Sequence, residues 1–140
     1  MKMNEEILRY SISLPAPLLK ELDDLVKAQN YASRSEFTRD IIREYLGRKS
    51  WSDSSSEATA VLVISYDHHE GELLMRKMRL EHDSKVEIIC TNHIHIDHHN
   101  CLETLILRGV VRDIEEFSAN IKGLKGVKFS QLVRASVPKF

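Results

Sequence analysis

From Leu8 to Leu14, apolar and polar residues alternate without a break. Leu8, Tyr10, Ile12 and Leu14 fall on one face, and Arg9, Ser11 and Ser13 on the other. A period of two predicts a half-buried strand. Pro15 and Pro17 end it and suit the first turn of a helix. Leu18, Leu19, Leu22, Leu25 and Val26 then recur at helical spacing to about Gln29. Ser33 is an N-cap with Glu36 in capping-box position, opening a second helix. That helix is expected to bury Phe37, Ile41, Ile42, Tyr45 and Leu46 and to stop at Gly47. The Ser-rich stretch 47–57 interrupts the pattern and reads as a linker. Trp51 within it either stands exposed or docks on a domain.

Beyond that stretch the period changes repeatedly. A strand is predicted at Thr59–Tyr66, a helix over about Glu70–Glu81, and strands at Lys85–Ile96 and Cys101–Leu107 joined by a polar turn. After Gly109 come a helix at Val111–Ile121 and a strand at Val127–Arg134. The order βαββαβ is that of a ferredoxin-like fold. The expected class is α+β. Residues 1–48 form a first domain, 49–57 a linker and 58–140 a second domain.

The first half poses a physical problem that suggests its assembly. One strand cannot satisfy its own backbone groups, and about fifty residues with two short helices cannot bury a core alone. Antiparallel pairing of Leu8–Leu14 with a symmetry mate in a twofold dimer solves both. The paired ribbon then presents Arg9, Ser11 and Ser13 twice and is slim enough for the major groove. This strand–helix–helix pattern, over residues 7–47, resembles the ribbon-helix-helix DNA-binding family.

Charge adds little to this picture. The net charge is -1, and residues 1–50 carry nine Lys/Arg against eight Asp/Glu. Any DNA contact must therefore come from a local patch on a symmetric assembly rather than a basic tail. No apolar run approaches the roughly 20 residues of a membrane span. With two cysteines and no apparent secretory leader, a reduced cytoplasmic setting is expected.

All seven histidines lie between His68 and His99. Within the run His93-Ile94-His95-Ile96-Asp97-His98-His99-Asn100-Cys101, strand alternation sets His93 and His95 side by side. After the turn, Cys101 can approach the same patch. Taken singly, these residues also suit a solvent-facing strand and a buried cysteine. Together, two imidazoles and a thiolate suit a late first-row transition metal. Leu102, Leu105 and Leu107 are expected to fill the core without Cys101, and Cys90 is expected to pack in it. His68, His69, His98 and His99 read as solvated turn residues, with a weak auxiliary metal site as the minor alternative.

The spacing His82-x10-His93-x-His95-x5-Cys101, followed by Leu102-Glu103, resembles that of the nickel-responsive transcriptional regulators (NikR). The resemblance covers nearly the whole chain after residue 6. It implies a ribbon-helix-helix half fused to an ACT-like regulatory half in a homotetramer, with one Ni(II) per subunit. His93, His95 and Cys101 from one chain and His82 from a neighbouring chain would form a planar site. Copper should bind such a site at least as tightly as nickel, so specificity must come from geometry and supply rather than affinity.

The same resemblance implies a second cation, potassium-like, held by Glu36 and Asp40 at the seam between the halves. On residue chemistry alone, these carboxylates, four apart on a helix, could equally be offset by Arg39 and Arg43. Arg9 is the residue expected to read a base, with Ser11 and Ser13 weaker partners. Ser33 and Arg34, at the start of the second helix, can meet a phosphate. The expected function is repression of nickel-uptake genes at a palindromic double-stranded operator. The rivals are a metal-independent repressor or antitoxin, a small metalloenzyme, and a metal store.

Overall fold

The computed structural model describes residues 6–136. The chain divides into two compact units between Ile42 and Arg43.

In the first unit, helix α1 spans Ala16–Ala28, with Pro17 in its first turn and Gln29 as its C-cap. Asn30 carries the turn at φ 58, a left-handed conformation that asparagine tolerates better than most residues. Helix α2 spans Arg34–Ser50. Its start is capped as expected, for Ser33 Oγ accepts the Glu36 N–H at 3.2 Å. Phe37 is buried and meets the Tyr31 ring edge-on at 5.1 Å.

Within one chain the expected strand has no mate to pair with, and two further expectations change. Residues 6–15 form neither helix nor paired strand, and Leu8, Tyr10 and Ile12 are exposed. A strand exists only when a second strand accepts its hydrogen bonds, and no other described segment of this chain does so. Ile41, Ile42 and Tyr45 are likewise exposed rather than buried. Finally, α2 runs through Gly47 instead of stopping there. That position is glycine for closeness rather than termination, because a Cβ would collide with the Ser136 side chain.

The second unit holds a four-stranded antiparallel sheet with one face covered by two helices. Its elements are β1 (Glu57–Asp67), α3 (Gly71–Asp83), β2 (Glu87–His95), β3 (Asn100–Val110), α4 (Val111–Lys122) and β4 (Val127–Ala135). The strand order is β2-β3-β1-β4, the ferredoxin-like order expected from βαββαβ. Alternation decides the faces. Ala60, Leu62, Ile64 and Tyr66 of β1 and Cys101, Glu103, Leu105 and Leu107 of β3 are buried under the helices. Leu73 of α3 and Ile114, Phe117 and Ile121 of α4 close that core.

Cys101 therefore sits in the core with Leu105 and Leu107. Leu102, one residue out of phase, points to the opposite face. Cys90 is exposed, contrary to expectation. An irregularity between Ile88 and Cys90 shifts the register so that Cys90 pairs with Ile106 on the face away from the helices. That uncovered face also carries Phe129, Val133 and Ile94, each about half exposed.

The Ser-rich stretch is not loose. Trp51 is buried, its indole N–H donates to the Ala135 carbonyl at 2.9 Å, and the Arg134 guanidinium lies over its ring. The Ser56 and Ser54 carbonyls accept the N–H groups of Val111 and Arg112, which the first turn of α4 would otherwise leave without partners. No helix among the described residues is long and apolar enough to cross a membrane.

Candidate metal centre

The centre is assembled at one end of the sheet, where β1 finishes, β2 turns into β3, and α3 begins. Register does most of the placing. His95 pairs directly with Cys101 and His93 with Glu103, while Cys101 also pairs with Tyr66 on the other side. All five side chains therefore share the helix-covered side of the sheet. The His93 and His95 rings stack 5.3 Å apart, tilted by 25°. Cys101 is fully buried, and its thiol donates to the Tyr66 carbonyl at 3.3 Å.

Beneath these residues runs a buried polar network that sequence reasoning missed. The Tyr66 hydroxyl donates to Glu103 Oε2 at 2.5 Å, and Lys77 Nζ donates to Glu103 Oε1 at 2.9 Å and to Glu81 Oε1 at 2.5 Å. Burial pushes the Tyr66 phenol well above its ordinary value, and the Glu103 carboxylate adds to the shift. Burial opposes charge on Lys77, but its bonds to Glu81 and Glu103 outweigh this and raise its value. The only visible signal in the sequence was Glu103 itself, a charge at an inward position of a buried strand.

His68 is the other residue missed. Rather than a solvated turn residue, it packs edge-on against His95 at 4.6 Å. Its Nδ1 is buried without a hydrogen-bond partner. Desolvation lowers its proton affinity, and the neighbouring His69 and His95 lower it further. His68 therefore brings a buried ring nitrogen without a partner among the described residues to the side of His95.

His82 is not brought to this cluster. It sits in the last turn of α3, its side chain 87% exposed, with the neighbouring Asp83 carboxylate at 3.5 Å from Nδ1. Because α3 starts at the cluster end of the sheet, His82 lies roughly 16 Å further along the helix. Within one chain, register sets His93, His95 and Cys101 on one face of the sheet, and His82 is apart.

Residues 59–135 match the family described as the NikR C-terminal nickel-binding domain, and residues 9–49 match the ribbon-helix-helix proteins of the copG family. A protein of Campylobacter concisus, named as a candidate nickel-responsive regulator, is 57% identical, with 97% of this chain and 99% of that one aligned. The chain belongs to the NikR family. A Helicobacter hepaticus protein of the same name is 50% identical across 96% of this chain and 98% of its own length. The ACT domain of a Chlorobium tepidum GTP pyrophosphokinase is also similar, at 9% identity and a TM-score of 0.48, covering 56% of this chain and all of that domain. The two family matches together account for nearly the whole sequence. Membership of a family of regulators sets aside the metalloenzyme reading.

The donors fit the ion this family implies. Two imidazoles and one thiol share one face of neighbouring strands, and imidazole with thiolate suits nickel or copper better than calcium or magnesium.

The remaining predicted site residues lie in the first unit. The Arg34 guanidinium makes a bidentate pair with Asp23, at 2.5 and 2.7 Å, so its charge is already paired within the domain. Asp40 accepts the Tyr31 hydroxyl at 2.9 Å. Glu36 is exposed one helical turn before it. Arg9, Ser11 and Ser13 are all exposed.

Proposed function

We propose that this chain is a nickel-dependent DNA-binding repressor that acts in the cytoplasm as a homotetramer. Residues 1–48 grip DNA, 49–57 connect, and 58–140 sense the metal. The observation that carries the reading is the cross-strand pair His95–Cys101 with His93 beside it, while His82 stands at the far end of α3. A ligand that cannot reach its own chain's trio is suited to complete a second copy's. His93, His95 and Cys101 of one chain and His82 of another would then hold one Ni(II) per subunit. Ligands drawn from two copies would make metal binding favour one arrangement of the copies over others.

What supports assembly is the apolar surface that one chain leaves uncovered. Leu8, Tyr10 and Ile12 are exposed in the first half, and Phe129, Val133 and Ile94 on the open sheet face in the second. Pairing of Leu8–Leu14 between two copies would bury the former and form the DNA-reading ribbon. Sheet-to-sheet contact would bury the latter. On that ribbon Arg9 reads a base, with Ser11 and Ser13 beside it. Ser33 and the amides around it meet a phosphate, with Arg34 contributing less because Asp23 already holds it. Two such dimers in one tetramer engage the two halves of a palindrome, and linkage raises the effective concentration of the second dimer. A potassium-class cation on Glu36 and Asp40 rests on the family resemblance.

The test is operator binding by the full chain with and without Ni(II), compared with Cu(II), Co(II) and Zn(II). Nickel should tighten binding and produce a thiolate charge-transfer band. Cys101→Ala should lose both while remaining folded. Nickel-independent binding by the unaltered chain would favour the metal-independent repressor instead.

A further inference from the structure

The tripeptide Asp-His-His occurs twice, at 67–69 and 97–99, and the fold brings the two copies to the same end of the sheet. Asp67 ends β1 directly opposite Asn100, which begins β3. The His68 N–H donates to the His99 carbonyl at 3.2 Å, which pins one turn to the other. Each aspartate also ties its own turn. Asp67 Oδ1 accepts the His69 N–H at 2.9 Å, and Asp97 Oδ1 accepts the His99 N–H at 2.8 Å. Lys128 Nζ holds Asn100 Oδ1 at 2.5 Å from the β4 side. Repetition of the tripeptide thus builds two like turns and locks them face to face.

The consequence is a second group of ligands apart from His93, His95 and Cys101. One ligand atom each from Asp67, His69 and His99 lies within 4.8 Å of the others. His69 Nδ1 is 3.2 Å from Asp67 Oδ1, and the His69 and His99 rings are 5.6 Å apart. Both histidines are exposed and Asp67 is half-buried. The backbone is fixed by main-chain bonds, while both imidazoles stand exposed at the surface. Donor atoms around one ion at about 2.0–2.2 Å stand closer together than this, so a small rotation of the two exposed rings closes the set. His98 packs near His69 and His99, at 5.7 and 5.0 Å between rings, yet is not among the converging ligands.

We propose that Asp67, His69 and His99 form a second metal site on each chain, binding a divalent late first-row ion with water filling the remaining positions. Two imidazoles and a carboxylate, without a thiolate, suit Zn(II) or Ni(II) and exclude a soft-ion preference. The site belongs to one chain and needs no second copy. It therefore stands whether or not the reading of His82 above is right.

Equilibrium dialysis of the full chain against Zn(II) tests it. The His69→Ala/His99→Ala double variant should bind one zinc per chain fewer than the unaltered protein, and Asp67→Asn should weaken that equivalent at least tenfold. His98→Ala should change nothing, and Cys101→Ala should retain this equivalent while losing nickel's charge-transfer band. In Cys101→Ala, whose first site lacks its thiolate, one added equivalent should shift the ring proton resonances of His69 and His99. Because the double variant alters only exposed rings, unchanged circular dichroism should accompany the loss. Equal zinc binding by the double variant and the unaltered chain, or resonances of His69 and His99 that do not move, would overturn the proposal. Loss of the equivalent on His98→Ala would overturn this choice of ligands. If nickel fails to alter DNA binding while these zinc results hold, the repressor reading fails and the second site survives.

Discussion

Lys77 Nζ stands 2.9 Å from Glu103 Oε1, both side chains under a tenth exposed, and the pair fastens α3 to β3 two residues along the strand from Cys101. Glu103 lies directly opposite His93, so the helix that carries His82 is tied to the strand beneath the other candidate ligands. Removing the lysine leaves a buried carboxylate whose remaining partner among the described residues is Tyr66. Lys77→Met should therefore cost about 3 kcal/mol of stability, measured by urea unfolding. The pH sense follows from the raised lysine value. The pair's contribution is complete below the ordinary value of 10.5 and is lost as pH rises through the raised one. A loss below 1 kcal/mol would mean that water reaches Glu103.

Trp51 fixes the start of the second unit through its ring and its N–H together. Trp51→Ala should destabilise by about 3 kcal/mol through the cavity it leaves. Trp51→Phe should cost less, about 1 kcal/mol, chiefly through the unpaired Ala135 carbonyl. Calorimetry on both variants would separate packing from hydrogen bonding.

Asp97 organises the turn that delivers Cys101 to the cluster. The Asn100 side chain, with the Asn100 and His99 backbone N–H groups, lowers its carboxyl to about 2. A depressed carboxylate stabilises the turn above its ordinary value of 3.8, and that support disappears as pH falls through about 2. Amide exchange at His99 and Asn100 should be slow at neutral pH and faster in Asp97→Ala, with the rest of the sheet unaffected. Uniform acceleration across β3 would show that the turn and the strand open together.

Arg9→Ala should leave nickel binding untouched and weaken operator binding by roughly tenfold or more, as expected for loss of a bidentate contact to a base. Titration of labelled operator alongside the nickel absorbance band checks both halves of that statement. A variant that loses nickel affinity would show the two halves are not functionally separate.

Much of this molecule is legible from periodicity. Every element of the second unit follows from it in order, with ends within a few residues, because each strand buries one face and each helix one stripe. The pairing of His93 with His95 follows from strand alternation alone. Elsewhere the pattern is incomplete because it says which residues seek burial, and not what buries them. Ile41, Ile42, Tyr45 and the alternating residues of 8–14 have the spacing of a core, yet one chain gives them no partner. Gly47 looked like a helix stop because its clash with Ser136 involves a residue far away in sequence.

The amino-acid order by itself determined the two-part architecture, the strand carrying both imidazoles, and the family to which the chain belongs. Tertiary structure alone decided that Cys101 is a core residue facing His95. It also decided that an irregularity turns Cys90 outward, that Glu103 is neutralised by Lys77 and Tyr66, and that two distant Asp-His-His turns meet. Local spacing sets the face a side chain occupies, whereas register between strands distant in sequence sets its neighbours. That register is chosen by the packing of the whole sheet against its helices, a property no window of sequence contains.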